Sequence, residues 1–117
     1  MLLSEFDIND YKREQGSYDD SYQCLVFSTY GMDTGYVFET CEMPIEAAFV
    51  KNDEIQLLRV NAKEFQENIQ YLKDVLEDKT EEIRIEFSYE AGNSTSIDVV
   101  PVAWIEETNA LYFENKS

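Results

Sequence analysis

Residues 61–78, NAKEFQENIQYLKDVLED, carry the longest helical repeat in the chain. Phe65, Ile69, Leu72 and Leu76 recur at three- and four-residue spacing, with Val75 beside them. That spacing puts one apolar stripe on an otherwise polar helix. Asn61 is a good capping residue and Glu64 follows three positions later, the pattern of a capping box. A single helix with one apolar face needs another surface to cover it, so the segments on either side have to supply a sheet.

They read that way. Downstream, EIRIEFSYE (82–90) alternates strictly: Ile83, Ile85, Phe87 and Tyr89 point one way, Glu82, Arg84, Glu86 and Ser88 the other. The turn-rich AGNST follows, then SIDVVPVAWI, whose alternation slips at Val99-Val100 and which contains Pro101. Proline is confined to sheet edges or bulges. Thr108-Asn109 then turns the chain into ALYFE, and the whole of 82–114 reads as a three-stranded meander. Upstream, IEAAFVK and EIQLLRV flank Asn52-Asp53, a tight-turn pair. Pairing across that turn sets Lys51 against Glu54, Val50 against Ile55 and Glu46 against Arg59, three favourable matches in one register. Before it, YQCLVFST and YVFETC read as another hairpin. A four-residue loop at 31–34 sets Phe27 opposite Phe38 and Cys24 opposite Cys41, a pair that could be oxidised to a strained disulfide. Residues 1–21 are the least regular part, with Phe6, Ile8 and Tyr11 as anchors. The expected architecture is one α+β domain over 1–117: two hairpins, a C-terminal meander, and the helix of about 61–78 packed on one face of the sheet.

The chain has 25 Asp and Glu against 9 Lys and Arg, a formal net charge of −16, and no histidine. At 44% hydrophobic and 14% aromatic it nonetheless holds enough apolar material for a core. Nucleic acid and anionic membrane are repelled by such a surface; a basic protein is attracted. Without histidine there is no Ser-His or Cys-His nucleophile pair and no imidazole metal ligand, and two cysteines cannot form a four-thiolate site. No metal or cofactor is called for. In a reducing compartment both cysteines are expected as free, buried, small apolar residues. The start, MLLSEFDIND, lacks the basic beginning and longer apolar run of a secretory signal, so a cytoplasmic location is expected. Asn93-Ser94-Thr95 is then turn composition rather than a glycosylation acceptor.

One triplet resembles catalytic machinery. Asp33-Thr34-Gly35, within YGMDTGYVF (30–38), is similar to the tripeptide carrying the catalytic aspartate of aspartic proteases. In the retroviral type, apolar residues precede the aspartate and a later apolar strand ends in glycine. Here Gly31-Met32 precede Asp33, and the glycine further on, Gly92, lies in polar EAGNS. The likeness covers three residues, and the stretch is read as a turn, with glycines for unusual dihedrals and the aspartate for local backbone bonding.

The distribution of the acids points instead to binding. LEDKTEE (76–82) places Glu77 and Asp78 at the negative end of the helix, with Glu81 and Glu82 just beyond. The two helix ion pairs, Lys63 with Glu67 and Lys73 with Glu77, have the less favourable orientation. Such locally unhelpful charges, taken as a set, mark a functional surface. The expected partner-binding residues are Tyr18, Asp19, Asp20, Tyr22, Glu77, Asp78, Glu81, Glu82, Glu86, Glu106 and Glu107, with tyrosines as anchors and carboxylates in place of phosphates. Arg84 interrupts Glu82 and Glu86, which favours an inhibitor tailored to one basic site over an imitation of duplex DNA. The expected function is a small acidic, non-enzymatic protein, monomer or homodimer, that blocks a basic protein partner, as toxin-immunity, nuclease-inhibitor and phage anti-defence proteins do. The alternatives are an assembly subunit pairing through an exposed strand, at the edge carrying Pro101 or at the C-terminal strand, and a hydrolase using two carboxylates.

Overall fold

The computed structural model describes residues 1–11, 23–51, 54–91 and 95–116. Among these residues the fold is α+β, with one α-helix and a seven-stranded antiparallel sheet. The strands are β1 (Cys24–Gly31), β2 (Val37–Pro44), β3 (Ala47–Lys51), β4 (Glu54–Asn61), β5 (Ile83–Ala91), β6 (Thr95–Ile105) and β7 (Ala110–Asn115), and the helix α1 (Ala62–Val75) lies between β4 and β5 in the chain. Their order across the sheet is β2-β1-β5-β6-β7-β4-β3, which is not a simple meander. The helix carries the chain from β4 past β7 and β6 to β5.

The two edge strands, β2 and β3, are consecutive in sequence and joined by Ile45 and Glu46 alone. Three peptide steps from Pro44 to Ala47 span at most about 11 Å, so the sheet has to curl until its edges meet there. The link continues the ladders on both sides: the Ile45 N–H donates to the Gln23 carbonyl at 2.7 Å and the Glu46 N–H to the Arg59 carbonyl at 2.8 Å. Helix α1 seals the concave face. Its stripe of Phe65, Ile69 and Leu72, with Leu76 just past its end, is buried in one cluster with Leu25, Phe27, Leu58, Val60, Ile85, Phe87, Leu111 and Phe113 from the strands. Phe65 is at the centre, its ring centroid 5.1 Å from Phe27, 5.3 Å from Phe6, 5.4 Å from Phe113 and 5.5 Å from Phe87.

Three bulges decide where the registers depart from those expected. In the first hairpin Tyr30 faces Val37, but Thr29 faces Glu39, so Phe38 is the extra residue. Phe27 therefore faces Cys41, and Cys24 faces Pro44. The expected Phe27–Phe38 and Cys24–Cys41 pairs do not form, because the connection runs longer than four residues and the bulge tucks Phe38 against the core. In β3–β4, Lys51 faces Glu54 and Val50 faces Ile55; Gln56 is then extra, and Ala47 rather than Glu46 faces Arg59. The ion pair survives the slip, with Arg59 Nε 3.1 Å from Glu46 Oε1. The turn at Asn52-Asp53 and that at 92–94 lie outside the described residues. In β6–β7, Val102 is the extra residue, immediately after Pro101.

Pro101 and the C-terminal strand are not at a sheet edge, contrary to expectation: β6 lies between β5 and β7, and β7 between β6 and β4. Proline is accommodated in the interior because β6 pairs with β5 only up to Val99, then diverges along β7. No β5 carbonyl waits for the missing N–H. The chain start fills the gap, with Leu2 bridged to Arg84 and the Ile85 N–H donating to the Met1 carbonyl at 2.9 Å. Residues 1–11 are thus built into the fold. Two short 3-10 turns, Leu3–Glu5 and Ile8–Tyr11, bury Leu3, Phe6 and Ile8 in the core.

The helix starts as read. Asn61 Oδ1 accepts the Glu64 N–H at 2.9 Å. A second cap comes from far along the chain. Asn109, left-handed at φ 53°, accepts the Ala62 N–H on its carbonyl at 2.9 Å and the Lys63 N–H on Oδ1 at 3.0 Å, while its Nδ2 donates to Asn61 Oδ1 at 3.1 Å. Asn109→Ala is expected to lower stability by about 1–2 kcal/mol, through lost capping and an unfavourable backbone. Asn109→Gly, which relieves only the backbone part, should lose less; urea denaturation of the pair separates the two terms.

The helix ends at Val75, three residues earlier than the expected 78, with Leu76 as its cap. Acids are unfavourable against the exposed carbonyls of a helix end. Glu77 and Asp78 accordingly lie in the turn beyond it rather than on the last helical turn. Among the described residues, neither Lys63–Glu67 nor Lys73–Glu77 forms an ion pair.

Candidate functional site

The segment beyond the helix meets two other parts of the chain at one pole of the molecule. One is the β1–β2 turn. Gly31 donates its N–H to the Tyr36 carbonyl at 3.1 Å, and Gly35, at φ +73°, donates to the Gly31 carbonyl at 2.8 Å. Thr34 Oγ1 accepts the Tyr36 N–H at 3.3 Å and donates to Glu81 Oε1 at 3.2 Å. The Met32 N–H reaches the Glu82 carbonyl at 3.0 Å. Each member of Asp33-Thr34-Gly35 therefore has a place in a turn. Thr34, rather than the expected Asp33, makes the side-chain bonds to the backbone, and Gly35 takes the left-handed conformation. Asp33 is exposed and lines no cleft described here. The pinned turn also holds Tyr36 at 72% and Val37 at 64% exposure, large apolar groups turned to solvent.

The other part is the chain start. Leu2, Leu3, Leu76 and Ile83 form the apolar lining of a cleft of about 370 Å³, and Ser4, Lys73, Glu77, Glu81 and Glu82 complete its walls. Its volume is within the range of small-ligand sites. Among the described residues, three carboxylates stand against one ammonium. Lys79, the nearest cation in sequence, is drawn aside over the Phe38 ring, 5.2 Å from its centroid. Among the described residues no Lys or Arg forms an ion pair with Glu77, Asp78, Glu81 or Glu82.

The expected binding residues are thus partly assembled and partly dispersed. Glu77, Glu81 and Glu82 share the cleft, and Asp78 is exposed in the adjoining turn. Glu86 is elsewhere, on the strand face opposite Ile85 and Phe87, 3.2 Å from Arg84 Nη2. The Tyr30 hydroxyl is pushed above the usual phenol range by burial first and by Glu86 next. Glu106 and Glu107 are exposed in the 3-10 turn between β6 and β7, beside the helix N-terminus that Asn109 caps. The 14-residue helix separates the two acidic groups by about 20 Å. Tyr18, Asp19, Asp20 and Tyr22 lie outside the described residues. Sequence reasoning missed Leu2, Leu3 and Ser4 as cleft residues; the Leu2-Leu3 pair was the available signal, in a segment otherwise read as irregular.

Among the described residues, no group of three or more Cys, Asp and Glu is arranged to hold a metal ion, and no helix is long and apolar enough to cross a membrane. The cysteines are free, and half-buried rather than buried as expected. Cys24 and Cys41 are three positions out of register on neighbouring strands, a separation of about 10 Å and beyond disulfide reach. The Cys41 thiol is pushed up by burial, with Glu39 adding to the effect. Diamide treatment should therefore leave no internal disulfide, and Cys41 should alkylate more slowly at neutral pH than a free thiol in solution; intact-mass and peptide mass spectrometry check both.

The geometry defines an acidic α+β protein with an apolar cleft ringed by carboxylates. Comparison of the chain with protein-family models, curated proteins and solved structures finds no match.

Proposed function

We propose that this protein is a non-enzymatic binding protein whose acidic pole blocks a basic protein partner, in the manner of immunity or anti-defence proteins. The observation that carries the reading is the convergence of Glu77, Glu81 and Glu82 around one apolar cleft, with no intramolecular ion pair to occupy them among the described residues. Apolar area supplies affinity at such a surface, and the carboxylates supply attraction and register. The pinned β1–β2 turn offers Tyr36, the type of residue that anchors protein interfaces, already held in place. The test is capture from lysate on the immobilised protein, run in parallel with an E77Q/E81Q/E82Q variant. One dominant basic protein, released by salt and not retained by the variant, is the expected result. Equal retention by both proteins overturns the reading.

A second reading, assembly through a strand edge, draws on β2, which is eight residues long and, among the described residues, pairs only with β1. Glu39 and Glu42 on that strand repel a second acidic copy, which favours a basic strand as its occupant. A salt-insensitive dimer in sedimentation would favour self-assembly instead.

A further inference from the structure

We propose that the cleft is a pocket for a single arginine side chain of the partner, its methylene stem lying on Leu3, Leu76 and Ile83 and its guanidinium meeting Glu77, Glu81 and Glu82. This deepens the binding reading above and rests on it. Two features select that chemistry. The floor is apolar: Leu3 and Leu76 are 4% and 6% exposed and Leu2 and Ile83 half-buried, so an occupant has to bring hydrocarbon. Among the described residues the walls hold three carboxylates and one ammonium, so it also has to bring positive charge. Arginine combines the two, and its planar, weakly hydrated fork matches carboxylates better than an ammonium does. A hard metal cation fits poorly, since it requires oxygen ligands around it rather than leucine.

The walls are also held in place. Thr34 fixes one oxygen of Glu81, and the Met32 N–H bonds the Glu82 carbonyl, so the β1–β2 turn positions both residues before anything binds. Gly31 makes this possible. A Cβ at that position would stand 1.8 Å from Glu81 Oε1 and 2.9 Å from Thr34 Oγ1, so a larger residue displaces the carboxylate from its hydroxyl partner. Gly31→Ala is therefore a variant that moves Glu81 without removing a charge.

The experiment is a titration of the ¹⁵N-labelled full chain at low salt with n-butylguanidinium, n-butylammonium, n-butanol and butanoate in separate series. Butylguanidinium is expected to shift the Leu3, Leu76, Glu77, Glu82 and Ile83 amides saturably, about fivefold more tightly than butylammonium, while butanol and butanoate leave them in place at the same concentrations. Glu77→Gln and Glu82→Gln, each with an otherwise unchanged spectrum, should each weaken the effect about threefold, and Gly31→Ala should weaken it too. Equal shifts with butanol reduce the cleft to an apolar hollow and overturn the proposal. So do shifts of the Glu106 and Glu107 amides as large as those at the cleft, which mean diffuse charge attraction. If the guanidinium fails here while E77Q/E81Q/E82Q still loses the captured protein, the binding reading stands and only the arginine pocket falls. If the guanidinium binds as expected but no basic protein is captured, the binding reading falls instead.

Discussion

Phe65→Ala is expected to destabilise the protein by about 3–5 kcal/mol, the range for deleting a buried phenylalanine. Phe65 is fully buried and its ring lies within 5.5 Å, centroid to centroid, of Phe6, Phe27, Phe87 and Phe113. It is the residue through which α1, β1, β5, β7 and the N-terminal segment all touch. Truncation leaves a cavity that a curled sheet, closed at Ile45, cannot collapse to fill. Ring pairs add about 0.5–1.5 kcal/mol each beyond burial, so the loss should fall in the upper part of the range. Since whole domains are stable by only about 5–15 kcal/mol, the variant should lose about a quarter or more of its urea resistance. A fall below about 1.5 kcal/mol would show that the aromatic cluster is not the centre of the core. Ile69→Ala, at the next turn of the helix, serves as the comparison.

The second large effect concerns association. Neutralising Glu77, Glu81 and Glu82 to glutamine should weaken partner binding by about 30- to 100-fold, taking roughly 0.7–0.9 kcal/mol for each lost charge pair. Most of the change should appear as slower association and a flatter salt dependence. The same variant is expected to be slightly more stable than the wild-type protein, because like charges near the negative end of α1 are removed. Opposite signs for stability and binding separate a lost contact from a lost fold. The distant pair supplies the control. Glu106→Gln with Glu107→Gln, about 20 Å away along the helix, should change binding less than threefold. Surface plasmon resonance across a salt series measures both variants; equal losses would mean that total charge matters rather than the cleft.

Several features were legible in the sequence because they are local. The helix and its Asn61 cap follow from a spacing and a residue type inside one segment. The faces of β5 follow from strict alternation between Ile83 and Tyr89. The Asp33-Thr34-Gly35 turn was readable from its glycines, though the bonding role belongs to Thr34. The acidic surface is a count. Even the Glu46–Arg59 pair was visible, since a one-residue bulge moves the backbone register and long side chains still reach each other.

The remainder was decided by packing between residues far apart in the chain. Composition cannot say that Phe38 bulges inward and so separates Cys24 from Cys41, because both registers satisfy the same propensities. Nor can it place Pro101 in an interior strand; that depends on β6 leaving β5 and on Met1 and Leu2 taking its place. The candidate site belongs to this second class. Glu77, Glu81 and Glu82 were identifiable one by one, and their clustering followed in part from nearness in sequence. Their cleft exists only because the chain start packs against β5, and because a turn some 47 residues away holds Glu81. Charge and periodicity are properties of a segment, whereas a cavity is a property of surfaces that meet only when the chain has folded.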